Sequence, residues 1–258
     1  MGYNGTYISI DGTHHLKSGS PLYNRRFSNV QSFHEPGIAP VEDGNSCYYI
    51  DMEGNHLFAK DFVKAYGFYE GLAAVLGNDG WYHIDLEGNS LYDARFEWVG
   101  NFQEDFCTVR DMDGAYYHIL PSGKPAYQSR CRYAGDFRYG IAVVFEHTGK
   151  ACHIFRDGTK VHNSSFIDLD VFHKGFARAK DEHGWTHIDL KGKTIYSERY
   201  EMVEPFYNGH SRVLDKNGIF RIIDENGDIV HTIGLVSMME KEDSDAKSRG
   251  EVLAKRRD

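Results

Sequence analysis

Residues 71–102 read GLAAVLGNDGWYHIDLEGNSLYDARFEWVGNF, and this stretch decides the fold. The apolar run LAAVL ends at the turn signal Asn78-Asp79-Gly80, and the aromatic and β-branched run WYHIDL follows. That second run ends at Asp85-Leu86-Glu87-Gly88, where an initial Asp can bond the backbone and a final Gly tolerates positive φ. SLYDARF and EWVGNF supply a third strand and a weaker fourth. The stretch has no helical periodicity, so it predicts an all-β unit.

This unit is one copy of an internal repeat, marked by a turn glycine that recurs every 34 or 35 residues. The glycines are Gly19, Gly54, Gly88, Gly123, Gly158, Gly192 and Gly227. Four residues after each stands a ring, namely Tyr23, Phe58, Tyr92, Tyr127, His162, Tyr196 and His231. Fourteen residues after the first six stand Phe33, Phe68, Phe102, Phe137, Phe172 and Phe206. Because one such unit cannot bury its apolar face alone, the array predicts a single seven-unit domain over residues 1–234.

The first strand of six units also carries a small residue at one position, which predicts crowding there, as on the innermost strand of a propeller blade. These residues are Ala39, Ala73, Cys107, Ala142, Ala177 and Ser211. Seven such strands, with Tyr7 in the first, account for seven four-stranded blades. The sequence therefore predicts a seven-bladed β-propeller built from 34–35-residue repeats, with an open β-repeat solenoid as the alternative.

Composition restricts the classes of partner that the protein is expected to bind and the compartment in which it is expected to occur. The net charge of −9 argues against a nucleic-acid surface, and no apolar stretch is long enough to span a membrane. Four isolated cysteines and the absence of a signal sequence predict a cytoplasmic protein with reduced thiols. Residues 235–258 leave the repeat and are dense in charge, which predicts a helical or disordered tail or linker.

The repeat pattern resembles the WG repeat of bacterial proteins, named for a Trp-Gly pair at the start of its second strand. The nearest forms here are GWYHID at 80–85 and GWTHID at 184–189, in which Trp follows the turn glycine and the second glycine is replaced. The likeness spans residues 7–234. It implies a binding or scaffolding module, sometimes joined to an enzymatic domain such as a methyltransferase, and it carries over no catalytic residue.

Five histidines share one register before the apolar residue of the second strand: His14, His83, His118, His153 and His187. Metal binding and pH sensing are the functional interpretations of this column. Equivalent positions in successive units lie too far apart for one metal, so hydrogen bonding inside each unit is favoured. The sequence indicates no metal site and no cofactor. It contains no P-loop, GxGxxG, GxSxG or Cys-His framework, which argues against an enzyme.

Departures from the repeat supply the candidate ligand site. Arginines at equivalent positions of adjacent units share one face with two further cations, and His162 replaces a tyrosine. The candidate residues for a small carboxylate or phosphate are Arg178, Arg212, Arg110, Lys180 and His162. Local ion pairing is the alternative role for these cations. A binding domain or enzyme with this anionic site, possibly attached to a catalytic domain outside this chain, is the alternative function.

The favoured function is a non-catalytic interaction or scaffolding module that binds a protein or peptide partner through exposed aromatic anchors. Trp98 and Trp81 are the first candidates, and burial in the core is the alternative for both. Tyr69, Tyr139 and Tyr207 form a second group because they fall in the turns before the first strands.

Overall fold

The computed structural model describes residues 2–235 as seven separate antiparallel sheets, one for each unit of the repeat. The described residues contain no α-helix, and their only helical turn is a 3₁₀ turn at Tyr3–Gly5. The all-β prediction is confirmed. The predicted charged tail lies outside the described residues, except for Leu235, which ends the last strand.

The sheets are numbered here in chain order. Sheets 1 to 3 contain β1 (Thr6–Ile8), β2 (His15–Lys17) and β3 (Ser20–Pro21); β4 (Asn29–Val30), β5 (Ala39–Asp43) and β6 (Ser46–Ile50); and β7 (Lys64–Ala65), β8 (Ala73–Gly77) and β9 (Gly80–Ile84). Sheets 4 and 5 contain β10 (Trp98–Gln103), β11 (Phe106–Arg110) and β12 (Tyr116–Ile119); and β13 (Tyr133–Ala134), β14 (Ile141–Phe145) and β15 (Ala151–Phe155). Sheets 6 and 7 contain β16 (Asp168–Leu169), β17 (Phe176–Asp181) and β18 (Gly184–Asp189); and β19 (Met202–Val203), β20 (His210–Leu214), β21 (Ile219–Asp224) and β22 (Ile229–Leu235).

The strand with the small residue is central in sheets 2 to 7, not the innermost edge strand predicted from the sequence. In sheet 4, β11 lies between β12 and β10, and β10 is the weak fourth element of the preceding repeat. The reason is the tight connection at Glu104 and Asp105, whose φ angles of 52° and 67° fold β10 directly against β11. Each weak element therefore joins the sheet of the following unit, and the small residues are buried between two paired strands.

Three strands, rather than the predicted four, form each of sheets 1 to 6. In sheet 3 the SLYDARF segment is held to β9 by only two isolated bridges, Trp81 to Phe96 and Ile84 to Ser90. Between these bridges the Leu91 N–H donates to the His83 carbonyl at 2.9 Å, and the Tyr92 ring is buried beside His83. The equivalent segment of the last unit is the continuous strand β22, so only sheet 7 has four strands.

The Asp-x-x-Gly turns form as predicted. At Asp85 the carboxylate accepts hydrogen bonds from the N–H groups of Glu87 and Asn89, at 3.1 and 2.8 Å, in an Asx turn. The Gly88 N–H donates to the Asp85 carbonyl at 3.0 Å, and Gly88 has φ of 82°. The carboxylate is therefore used by the backbone of its own turn.

The same turn glycine joins each unit to the one before it, a contact that we call the glycine–ring interlock. A Cβ placed on Gly123 would lie 2.6 Å from both Cβ and Cγ of Tyr92, the ring of the preceding unit. Such a distance is closer than two carbons can approach, so only glycine fits. The pairs are Gly54 on Tyr23, Gly88 on Phe58, Gly123 on Tyr92, Gly158 on Tyr127, Gly192 on His162 and Gly227 on Tyr196.

The described residues divide into two compact units, one up to Val144 together with Arg156–Gly158, and the other Phe145–Phe155 together with the residues from Thr159 onward. In the first, Phe27, Phe33, Val41, Tyr48 and Ile50 belong to one buried cluster. The second unit has a similar buried cluster, which contains Tyr196, Tyr200, Phe206, Val213 and Ile223. Each cluster combines strand residues with the Phe and ring positions of the repeat. The columns read from the sequence are therefore core residues.

Candidate functional site

The histidine column forms one buried polar motif that recurs from unit to unit. The His83 ring is 1% exposed, packs against Phe102 with ring centroids 4.9 Å apart, and uses both of its nitrogens. Its Nε2–H donates to the Gly100 carbonyl at 3.0 Å, so Nδ1 must accept. The Tyr92 hydroxyl donates to Nδ1 at 2.5 Å. The three columns of the repeat thus meet at a fully hydrogen-bonded imidazole.

The first member of the column is His15, not His14 as predicted. His15 bonds the Tyr23 hydroxyl at 2.6 Å and the Gln31 carbonyl at 2.7 Å. The first unit has a two-residue turn, Ser18-Gly19, in place of the longer Asp-x-x-Gly turn, and this removes one residue from the spacing. His14 is buried elsewhere, with Nδ1 3.2 Å from an Arg26 nitrogen.

Among the first six units, two vary the motif without leaving the central ring unsatisfied. In the second unit Tyr49 replaces histidine, and its single hydroxyl donates to the Tyr66 carbonyl at 2.7 Å, the position equivalent to Gly100. Its partner ring is Phe58, which has no hydroxyl to satisfy. In the fifth unit the His162 Nε2–H donates to Nδ1 of His153 at 3.0 Å. His162 Nδ1 is buried and has no hydrogen-bond partner among the described residues.

Burial keeps these imidazoles neutral. It lowers the pKa of His83, His153 and His187 to about 4, although the hydrogen bond to the carbonyl opposes the shift. The pKa values of His15 and His118 are lowered for the same reason. No group of three or more metal-ligating side chains occurs within residues 2–235. His83 hydrogen-bonds Tyr92 of its own repeat and the Gly100 carbonyl, which lies in β10 of the next sheet. The prediction that each histidine bonds inside its own blade is therefore wrong for the carbonyl partner.

The five candidate anion ligands are not brought together at one point by any contact among them. Arg178 donates twice to the Asp170 carboxylate, at 2.5 and 2.8 Å, and Arg212 pairs with Glu204 in the same way. Arg110 Nε lies 3.2 Å from a Glu97 oxygen, without hydrogen-bond geometry. Lys180 and Arg178 both lie 5.8 Å from the centre of the Trp185 ring, and His162 lies in the core. Anion binding stays a prediction, and the arginines already have carboxylate partners.

Two of the candidate partner anchors, unlike the candidate anion ligands, lie together. Tyr69 and Trp98 line one cavity of about 380 Å³, together with Tyr66 and His34. Tyr66, Tyr69 and Trp98 are 50%, 55% and 42% exposed, so their rings face solvent at the cavity mouth. The remaining lining is small or polar and carries no acidic, lysine or arginine side chain. We call this cavity the aromatic groove.

Small residues explain why the groove exists at this point of the repeat. A Cβ on Gly67 would overlap the His34 ring, and one on Gly100 would lie 3.3 Å from the Trp98 indole, so both rings lie close to a glycine. Ala74, on β8, also lines the groove and has only a small side chain. Tyr66 is held from below by Trp81, with the ring planes 8° apart and the centroids at 5.4 Å. The aromatic groove is thus lined by rings that pack against glycines or, for Tyr66, against another aromatic ring.

A second cavity, of about 640 Å³, occupies the corresponding place three repeats later. Asp170, His173, Arg178 and Glu204 stand where the aromatic groove has Tyr66, Tyr69, Ala74 and Gly100. The charged pair of Asp170 and Arg178 therefore replaces aromatic and small lining. We call this cavity the charged groove. Tyr207, 70% exposed, lies at its edge.

The other predicted anchors lie apart from the aromatic groove mouth. Trp81 is half-buried under Tyr66, and so it supports the groove without lining it. Tyr139 is 94% exposed and has φ of 53°, one residue later in its turn than Tyr69 and Tyr207 in theirs. Its N–H donates to the Glu104 carboxylate at 2.6 Å. Sequence reasoning missed Tyr66, Gly67 and Gly100; the signal was two extra glycines beside aromatic residues in consecutive units.

No helix within residues 2–235 is long and apolar enough to cross a membrane. No curated protein matches the sequence significantly. Among solved structures, BamB from Moraxella catarrhalis is similar at 12% identity and a TM-score of 0.43, over 91% of this chain and 87% of that chain. The computationally designed Ika8 protein is similar at 15% identity and a TM-score of 0.42, over 88% and 83%. The WD40 β-propeller domain of Doa1 is similar at 15% identity and a TM-score of 0.33, over 63% of this chain and 65% of that chain. These TM-scores are too low to support an argument.

Family comparison identifies the repeat itself. The model of the WG containing repeat matches residues 49–81, 84–116 and 185–218. The first two segments include Tyr66, Tyr69 and Trp98, so the aromatic groove is built mainly from matched residues. The resemblance predicted from the sequence is confirmed in these three segments: each of them matches the WG containing repeat.

Proposed function

We propose that this protein is a non-catalytic interaction module whose aromatic groove binds an uncharged, apolar segment of a protein or peptide partner. One observation carries the proposal. Tyr69 and Trp98, which belong to different units, line the same cavity with Tyr66, and all three rings are half-exposed. Exposed rings held on a rigid sheet provide contact area at little cost in conformational entropy.

The chemistry of the lining favours this class of partner. A charged side chain in the groove would find no oppositely charged partner there, and its desolvation would go uncompensated. Proline and other apolar side chains need no such partner, and proline-rich segments pack well between aromatic rings. Tyrosine hydroxyls at the mouth supply hydrogen bonds to the backbone of the bound segment.

For the whole domain we propose the seven blades predicted from the sequence, one for each sheet. A seven-bladed propeller and an open array of the same sheets differ in a seventh glycine–ring interlock, which would pair Gly19 with His231. The closed ring is the arrangement we propose, and the open β-repeat array given by the sequence is the alternative.

The proposal predicts that Trp98→Ala weakens the binding of proline-rich peptides while leaving the fold intact. Trp98 is 42% exposed, so its truncation removes ring contact with the peptide but little core packing. Peptides selected from a displayed library against the full chain would be titrated by fluorescence anisotropy. A central anchor of this kind is typically worth about 2 kcal/mol or more, roughly a thirtyfold loss of affinity.

Tyr207→Ala is the matched control, because Tyr207 is an exposed aromatic residue in the same kind of turn but at the charged groove. It should leave peptide affinity unchanged. Selected peptides should also lose affinity when lysine or glutamate replaces the residue seated in the groove. Equal binding by the wild type and Trp98→Ala, with unchanged melting temperatures, would show that the aromatic groove is not the binding site.

A further inference from the structure

An arginine fills the same turn in three units of the repeat. Nη1 of Arg95 donates to the carbonyls of the three residues before it, at 3.3, 3.0 and 3.0 Å. Arg130 does the same one unit later at 3.1–3.5 Å, and Arg199 donates to the two carbonyls before it at 3.0 Å. The carbonyl oxygens of this turn therefore converge on one point, and we call them the carbonyl cluster.

The fifth unit keeps this turn but has Ser165 in place of the arginine. The same backbone hydrogen bonds enclose the turn as in the unit of Arg130. In the fifth unit they join Ala151 with Phe166, at 2.7 and 2.9 Å, and Val161 with His153, at 2.9 Å; in the fourth they join Tyr116 with Cys131 and Ala126 with His118, at 2.8–2.9 Å. The carbonyls of residues 162–164 therefore form a carbonyl cluster of their own, and within residues 2–235 no side chain donates a hydrogen bond to it.

The His162 ring adds a fourth acceptor to this turn. The His153 Nε2–H donates to the Asp170 carbonyl at 2.9 Å, so His153 Nδ1 accepts from the Nε2–H of His162 at 3.0 Å. Nδ1 of His162 is thus an unprotonated acceptor, and it is buried without a hydrogen-bond partner among the described residues. The residue is 8% exposed. Burial lowers the pKa of His162, and the Ser164 backbone lies close enough to oppose that shift.

The charges around this turn leave room for a cation. Glu146 stands at the position of Asp111, the carboxylate that lies 3.8 Å from Arg130 in the unit before. Glu146 lies 2.6 Å from Lys160, so these two charges balance. The remaining groups are three carbonyl oxygens and an imidazole lone pair, all of which accept hydrogen bonds. Acceptors without donors attract a positively charged donor group and repel an anion.

We propose that the carbonyl cluster of residues 162–164, together with Nδ1 of His162, binds a guanidinium group from an arginine side chain of a partner molecule. The three units that carry their own arginine show which group this turn accepts. The sequence suggested His162 as an anion ligand, whereas its surroundings suit a cation. Asn163 and Ser165 are exposed, so a ligand reaches the turn from solvent. The proposal does not depend on the aromatic groove.

The probe is N-acetyl-arginine amide, and N-acetyl-citrulline amide is its matched control because it has nearly the same shape without the charge. Each is titrated into the full chain at neutral pH, and backbone amide NMR shifts are recorded. We expect saturable shifts at residues 163–166 with the arginine probe and a roughly tenfold lower affinity for the citrulline probe. Equal affinities for the two probes, or the absence of saturable shifts at these residues, would overturn the proposal.

Ser165→Arg supplies the fifth turn with its own arginine, as in the other units. Ser129→Arg is the matched control, because Ser129 is exposed at the same turn of the fourth unit, where Arg130 already donates to the cluster. Ser165→Arg should melt above the control and no longer bind the arginine probe, whereas Ser129→Arg should bind it as the wild type does. A Ser165→Arg chain that melts below the control, or that binds the probe undiminished, would overturn the proposal.

His162→Tyr tests the imidazole separately. It reproduces the pair of His118 and Tyr127, so the hydroxyl can replace the imidazole donor to His153 and the fold should persist. The carbonyls stay in place while the Nδ1 acceptor is lost. Affinity for the arginine probe should therefore fall several-fold, without a lower melting temperature. Undiminished affinity in a folded His162→Tyr chain would overturn the part assigned to the imidazole.

Discussion

At the scale of single residues, hydrogen-bond capacity explains which side chains occur together. A buried histidine has two nitrogens to satisfy, so it stands with a tyrosine hydroxyl, as in His83 with Tyr92. A buried tyrosine has one hydroxyl, so Tyr49 stands with Phe58. Leaving a buried polar group unpaired costs about 1–3 kcal/mol, which is the cost that each pairing avoids.

This rule predicts that Tyr92→Phe lowers the free energy of unfolding by about 1–3 kcal/mol, because Nδ1 of His83 loses its donor. The double variant His83→Tyr/Tyr92→Phe reproduces the pair found at positions 49 and 58. It should recover most of that loss, although its two changes act on adjoining rings. Chemical denaturation of both single variants and the double variant measures the coupling. Additive losses would contradict the rule.

The lowered histidine pKa values predict a loss of stability in mild acid. The unfolded chain takes up protons near pH 6.5, whereas His83, His153 and His187 in the folded chain resist protonation down to about pH 4. Their contribution is therefore complete above pH 6.5 and falls between pH 6.5 and 4. Each histidine contributes a slope of at most about 1.4 kcal/mol per pH unit.

Denaturation midpoints measured across that pH range test the effect. The variant His83→Tyr/Tyr92→Phe has one titrating imidazole fewer, so its stability should fall less steeply than that of the wild type. Parallel curves for the two proteins would show that His83 is not protonated on unfolding. A flat wild-type curve would contradict the lowered pKa values of the whole column.

At the scale of strands and turns, the interlock glycines are under two separate constraints. Positive φ disfavours other residues at all of them, and a ring fills the space where a Cβ would stand. Gly149 carries only the first constraint, since nothing lies within 4 Å of its placed Cβ. The two contributions can therefore be measured apart.

Gly123→Ala should destabilise the protein by about 1–3 kcal/mol more than Gly149→Ala, because only the former forces Tyr92 to move. Both variants pay the backbone cost of alanine at positive φ, with φ of 76° and 83°. Thermal unfolding of the two variants gives the difference. Equal losses would mean that the Tyr92 ring shifts freely, and the interlock would then not be a tight contact.

How far the sequence predicts this molecule also depends on scale. The period, the Asx turns and the core columns follow from residues such as Asp85 and Gly88, because turn chemistry and burial are local constraints. The position of β10 was predicted wrongly, since the two left-handed residues before β11 are Glu104 and Asp105 rather than glycines. His14 was assigned to the column because one shortened turn shifts the spacing by one residue.

Only part of the candidate site was predicted from the sequence, and the reason differs from that for the fold. Trp98 and Tyr69 were identified as exposed aromatic residues, but a cavity depends on which neighbouring side chains are small. Gly67 and Gly100 provide that space, and a single sequence does not distinguish a glycine that opens a cavity from one that forms a turn. Arg178 and Arg212 were taken as candidate anion ligands because their carboxylate partners are not adjacent in sequence. Asp170 and Glu204 each lie eight residues away, across a strand pair.

At the scale of the whole molecule, stability is expected to be a sum over neighbours. Each of the first six units supplies its own histidine or tyrosine motif and shares one interlock with the next, so few of these contacts depend on distant units. The aromatic and charged grooves show how function is added to such a series. The same repeat position carries Tyr66 and Ala74 in one place and Asp170 and Arg178 in another.

The direction of the interlock has a consequence for how such a protein changes over generations. Each of the first six rings is received by the unit after it, so these six junctions have the same form. Loss or duplication of one whole period of 34 or 35 residues joins a ring to a glycine again, whereas a partial loss leaves both without partners. The length of this protein can therefore evolve in steps of one unit without any new contact being invented.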